Sequence, residues 1–155
     1  MPNNYLEIKE LFEKKYIDND NECKDDECKD DECKNSNKIL IYTGYMNFLW
    51  NDSTLKEKSL GGAEKAVIYL SRCLPKNYEI YIAGDQLEEE IDNIKYVHHN
   101  NLQKLLNDNK FHTIIVSRYV SFFEKYNNYK CYKLVLSAHD TCFLGNNNEI
   151  IKKHN

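Results

Sequence analysis

Long apolar runs are missing from this sequence of 155 residues. None approaches the roughly 20 residues that a helix needs to cross a bilayer, which argues against a transmembrane segment. Arginine is almost missing as well: only Arg72 and Arg118 are found among 21 basic residues. With a net charge of -4, that scarcity argues against a general nucleic-acid binder, whose footprint is a basic patch. The first ten residues are polar and charged, unlike a secretory signal. A soluble, cytoplasmic protein with no nucleic-acid partner is therefore expected. Glycine is sparse, with five in all, and two nucleotide fingerprints are absent. No glycine precedes Lys-Ser or Lys-Thr, so there is no kinase-type phosphate loop. Gly44 stands alone after the first apolar run, and Gly61-Gly62 come well downstream. A nicotinamide or flavin fingerprint needs its glycines in a tight turn directly after the strand.

Six cysteines are present, but no pair has C-x-x-C spacing. Cys23, Cys28 and Cys33 fall in a tandem Glu-Cys-Lys-Asp-Asp repeat, and their spacing of five matches no zinc site. Cys73, Cys131 and Cys142 are scattered. Without a secretory signal, reduced thiols are the default, and no metal is expected.

The length suits one domain with a real core. Before it, residues 1–17 carry Tyr5, Ile8, Leu11, Phe12 and Tyr16 at helical spacing, one amphipathic face. Residues 18–37 are acidic, repetitive and nearly devoid of apolar groups, so they read as a disordered linker. From residue 38 to 155 the pattern is regular. Apolar runs at 39–43, 79–83, 94–97, 113–117 and 133–137 read as strands. Helices are expected at 59–74, ended by Pro75, at 101–107 and at 121–126. The first helix is expected to bury Ala63, Ala66, Val67, Leu70 and Leu74, with Glu64, Lys65 and Arg72 turned away. The acidic stretch 88–92 is left without a strand.

Strands apolar on both faces that alternate with helices predict an α/β fold. Its core is a Rossmann-like parallel sheet covered by helices on both faces. In the usual order 3-2-1-4-5, a crevice opens between the first and fourth strands at their carboxyl ends. Thr43-Gly44, Ser117-Arg118 and His139-Asp140 are expected to face it. Asp85 closes the second strand and reads as a strand-end cap. The long loop 44–58, carrying Tyr45, Asn47, Trp50, Asn51 and Asp52, leads to Ser59-Leu60-Gly61-Gly62-Ala63-Glu64. There paired glycines and the free N–H groups of a helical first turn would meet a ligand.

That strand, variable loop and Gly-Gly-Ala-Glu helix start, with Ala138-His139-Asp140 after the fifth strand, resemble a known family. It is the N-terminal domain of retaining GT-B glycosyltransferases (family 4, or group 1). The resemblance covers roughly residues 38–143. It implies that Gly61 and Gly62 lie near the diphosphate of a nucleotide-sugar donor, and that His139 contacts the donor sugar. It further implies that Tyr45 and Trp50 shape an acceptor pocket, with Arg118 and Asp140 as phosphate or acceptor contacts. The donor is a substrate, and no cofactor is implied. Family members hold the donor mostly with a second Rossmann domain carrying a Glu-x7-Glu motif, which these 155 residues do not contain. The expected partners are therefore a nucleotide-sugar, a glycan or other acceptor, and a separate donor domain. Alone, the chain is expected to be inactive or partner-dependent; the alternative is a non-catalytic interaction module derived from the same fold.

Overall fold

Ile39, Leu40, Ile41 and Tyr42 are each no more than 6 % exposed, because their strand lies inside a sheet with both faces covered. The computed structural model describes residues 31–55, 60–119, 121–126 and 128–137. In chain order the elements are α1 (Asp31–Lys34), β1 (Lys38–Gly44), a 3-10 turn (Ser53–Leu55), α2 (Gly62–Cys73), β2 (Glu79–Gly84), β3 (Glu89–Ile91), β4 (Ile94–His98), α3 (His99–Asp108), β5 (Lys110–Ser117), α4 (Ser121–Lys125) and β6 (Lys130–Ser137). This is an α/β fold around a six-stranded sheet of order β3-β4-β2-β1-β5-β6. All neighbours are parallel except β3 with β4. The parallel strands follow the order expected from the sequence. The expected helix at residues 1–17 lies outside the described residues.

The pleat splits the core in two. Leu40, Tyr42, Tyr81, Ala83, Ile114 and Val116 face one side, against Leu102 and Leu106 of α3 and Phe122 of α4. Ile39, Ile41, Ile80, Ile82 and Ile115 face the other, against Val67 and Ile68 of α2 and the indole of Trp50. Alternate residues of one strand thus serve both layers, and helices cover both faces.

Three expectations are revised. First, α2 buries Glu64, Val67, Ile68 and Ser71, while Ala66 is exposed and Leu70 and Leu74 are only half-buried. Glu64 is therefore not turned away. The stripe is a true i, i+3, i+4, i+7 set, but its two ends are polar, and a search for apolar residues passes over it. Second, the acidic stretch holds β3. Asp92 and Asn93 take φ of 51° and 66°, closing a two-residue hairpin onto β4 with Ile91 opposite Ile94. Positive φ at both central residues marks the turn that suits strand twist, and Asp and Asn tolerate it. Third, the expected linker boundary at residue 37 moves back. Asp31–Lys34 is helical, Cys33 is 1 % exposed, and α1 packs on β5 and β6. Ser36 Oγ donates to the Lys110 carbonyl at 2.7 Å, and Glu32 pairs with Lys110.

Among the described residues no helix is long and apolar enough to cross a membrane.

Truncating Trp50 removes the largest fully buried side chain of the molecule's described part. Trp50→Ala should destabilise the fold by about 3–5 kcal/mol, read as a lower urea midpoint; an unchanged midpoint would show that the indole is not part of the core. A pH effect is expected at His112. Burial, then the charge of Lys133, holds its imidazole below the ordinary value of 6.5. The unfolded chain therefore takes up the proton first, and stability should be lost as pH falls from about 6.5 through the lower folded value. A His112→Gln chain should show a flatter stability profile between pH 7 and 5 (about the range where histidine titrates).

Candidate functional site

Two glycines set the carboxyl end of the sheet. Gly44 leaves β1 with φ of 71°, and a Cβ there would overlap the Tyr119 ring. Gly84 ends β2 with φ of 155°, and a Cβ there would lie 2.5 Å from the Gly44 carbonyl oxygen and 2.6 Å from Thr43 Oγ1. The register slips between Tyr42 and Gly44 at this point. Asp85 N–H donates to the Gly44 carbonyl at 3.1 Å, while Thr43 Oγ1 donates to the Ala83 carbonyl and accepts from Gln86 Nε2. Two backbones meet here without side chains between them, so the adjoining loops leave at fixed angles.

The end of β5 is strained. Arg118 has φ of 71°, and Tyr119 N–H donates to the Ser117 carbonyl at 2.9 Å, the bond of a γ-turn with positive central φ. Such turns are rare and hold local strain. The Arg118 N–H is anchored on the Ser137 carbonyl at 3.0 Å. Its side-chain Nε is shut off from solvent and has no hydrogen-bond partner among the described residues.

Facing Arg118 is the start of α2. Thr43, Glu64, Val67, Ser117, Arg118 and Tyr119 line a depression between β1 and β5, where the strand order reverses. The space within it is only about 10 Å³, room for little more than one water and far below the roughly 300–1,000 Å³ of small-molecule pockets. Among the described residues it is a shallow depression, not an enclosed pocket. The Glu64 carboxylate curls back over Gly61 at the N-cap of α2. A Cβ on Gly62 would meet nothing within 4 Å, and neither Gly61 nor Gly62 has positive φ. Neither conformation nor close packing against the described residues requires glycine at position 62.

The loop after β1 is fastened rather than open. Trp50 bridges to Gln86, with Trp50 N–H donating to the Asp85 carbonyl and Leu87 N–H to the Trp50 carbonyl. Asn51 and Thr54 cap each other: Asn51 Oδ1 accepts from Thr54 N–H at 3.2 Å, and Thr54 Oγ1 accepts from Asn51 N–H at 3.1 Å. Arg72 grips both oxygens of Asp52 at 2.6 Å, and that bond raises the guanidinium above its ordinary value.

Trp50 is thus a core anchor, not a wall of an acceptor pocket, because its indole is 1 % exposed. Tyr45 does lie at the rim. Its phenol oxygen accepts from Lys125 Nζ at 2.6 Å, that ammonium stands 4.1 Å from its ring centroid, and Tyr119 OH donates to its carbonyl. Behind it, burial and then the Tyr45 phenol push Tyr126 up to about 12. Arg118 lines the β1–β5 depression together with Ala63 and Glu64, the residues that follow Gly61 and Gly62, whereas His139 and Asp140 lie outside the described residues.

A second cluster stands beside this crevice. Asp85 Oδ2 accepts from Met46 N–H at 2.6 Å, and its Oδ1 lies 2.7 Å from His99 Nδ1. The His98 and His99 ring centroids are 4.1 Å apart, with Tyr45 5.1 Å from His99. Asp85 is a strand-end cap, as its place in the sequence suggests. Two histidines directly after a strand are a visible signal in the sequence, but only the fold brings His99 onto Asp85 with His98 beside it.

Gly44→Ala combines a left-handed backbone with overlap of Tyr119. It should destabilise the chain by more than about 1 kcal/mol, whereas Gly61→Ala, which meets only the far end of the Glu64 side chain, should be milder. Equal denaturation midpoints for the two variants would contradict this geometry. No family model matches the chain, and neither the curated proteins nor the solved structures contain a match to it.

Proposed function

We propose that this chain is the acceptor-side, Rossmann-like domain of a retaining glycosyltransferase that uses a nucleotide-sugar, working with a donor domain. The observation that carries the reading is Gly62: it opens α2 beside the point where the strand order reverses, and no described residue requires a glycine there. In open α/β sheets ligands bind at that point, and a bare first turn presents N–H groups to an anion.

Arg118 adds a second support. Its buried guanidinium nitrogen has no partner among the described residues; leaving such a group unpaired is costly, and a phosphate or carboxylate would satisfy it. Glu64 divides the site chemically. Its carboxylate covers the Gly61 end of the helix start, so a diphosphate there must move it aside, whereas sugar hydroxyls can donate to it where it stands. The rim phenol of Tyr45 suits the apolar face of a sugar ring, and His139 is assigned to the donor sugar. Stabilising a charged transition state needs groups from both walls of a cleft, so turnover requires the partner domain.

The test is ligand-observed NMR of the whole chain with UDP-, GDP- and ADP-linked sugars. One class should bind, and Gly62→Val should weaken it at least about tenfold, a loss of roughly 1.4 kcal/mol, with the unfolding midpoint kept because a Cβ at that position meets no described residue within 4 Å. Equal binding by the variant would remove the glycine from the site. No binding to any sugar nucleotide by a folded wild-type chain would overturn the reading in favour of a non-catalytic interaction module.

A further inference from the structure

Two imidazoles and a carboxylate that glycosyl transfer does not use converge at the ends of β2 and β4. One donor atom from each of Asp85, His98 and His99 lies within 4.8 Å of the others. We propose that this trio binds a divalent transition-metal ion of the zinc class, with at least one coordination position left open.

The donor set argues for that class. Imidazole nitrogen with one carboxylate oxygen suits zinc, nickel and copper, whereas magnesium and calcium take oxygen ligands. Three protein ligands leave a position for water or another ligand. The cradle is already oriented. Asp85 is 8 % exposed, and Met46 N–H fixes one of its oxygens. The other oxygen lies 2.7 Å from His99 Nδ1, so two donor atoms already converge, and an ion held by both replaces the bond between them. The Nδ1 lone pair of His98 takes only a long 3.3 Å bond from Asn100 N–H, which an ion can displace. Both rings are half-buried, so an ion has a path in.

Charge is compatible as well. The positive end of α3 opposes a cation, and the Asp85 carboxylate supplies the countercharge. Glu88 stands next to it, its Oε1 accepting from His98 N–H at 3.2 Å and from Asn101 Nδ2. A purely architectural role, pinning α3 to β2, accounts for the His99–Asp85 bond. The bond that His98 accepts as the N-cap of α3 accounts for the second imidazole, but neither bond requires donor atoms of all three side chains to converge within 4.8 Å. The inference is independent of the glycosyltransferase reading.

Zinc titration of the full chain by calorimetry, under reducing conditions, tests it beside His98→Gln and His99→Gln. One zinc site should appear, weakened at least about tenfold in each variant, as loss of a ligand or its orienting partner does. Because His98 also caps α3, a second measurement uses the unaltered chain. Substoichiometric zinc should shift the NMR ring signals of two of its five histidines. Zinc affinity unchanged by His99→Gln would place binding elsewhere, such as the thiols of the repeat, and overturn the proposal. So would the absence of any zinc-induced shift in histidine signals.

Discussion

The sheet depends on a dry β1. Every backbone polar group of a central strand must find its partner in the ladder, because water cannot reach it. β1 meets that requirement by pairing with β2 on one side and β5 on the other. Its side chains alternate between the two cores, as those of β2 and β5 do on either side. Once β1 is enclosed, its exit is forced through a narrow point, and Gly44 and Gly84 are the residues that let two backbones share it.

The loop leaving β1 has its fastenings away from the crevice. Trp50 closes a bridge to Gln86, Asn51 caps the 3-10 turn, and Asp52 receives Arg72 from the far end of α2. The loop therefore acts as a brace between β2 and α2. Glu64 in the first turn of α2 and Arg118 line the depression between β1 and β5. A rigid scaffold with strain confined to its rim is the usual arrangement where a protein binds something.

Two chemistries sit side by side on that rim. The β1–β5 crevice offers helix N–H groups and a guanidinium, suited to anions, with Glu64 suited to hydroxyls. One strand over, beyond β2, the Asp85–His98–His99 trio offers lone pairs, suited to a cation. Tyr45 stands between them, against His99 on one side and Lys125 on the other.

The parallel strands, their order and the two-sided core were legible in the sequence, because apolar runs separated by helical patterns are a local signal. The carboxyl-edge positions of Arg118 and Tyr45 were legible too, since a residue just past a strand end follows its strand. Strand β3 was not, because Glu89 and Glu90 mask its alternation and its only mark is the Asp92-Asn93 turn. Nor did the sequence show that Trp50 is interior, that Glu64 turns inward or that Cys33 of an acidic repeat is buried. These depend on what each residue meets across the fold, which no pattern within one element records. The clustering of Asp85, His98 and His99 came from the tertiary structure alone, because parallel pairing sets side by side the ends of two strands that the chain keeps apart.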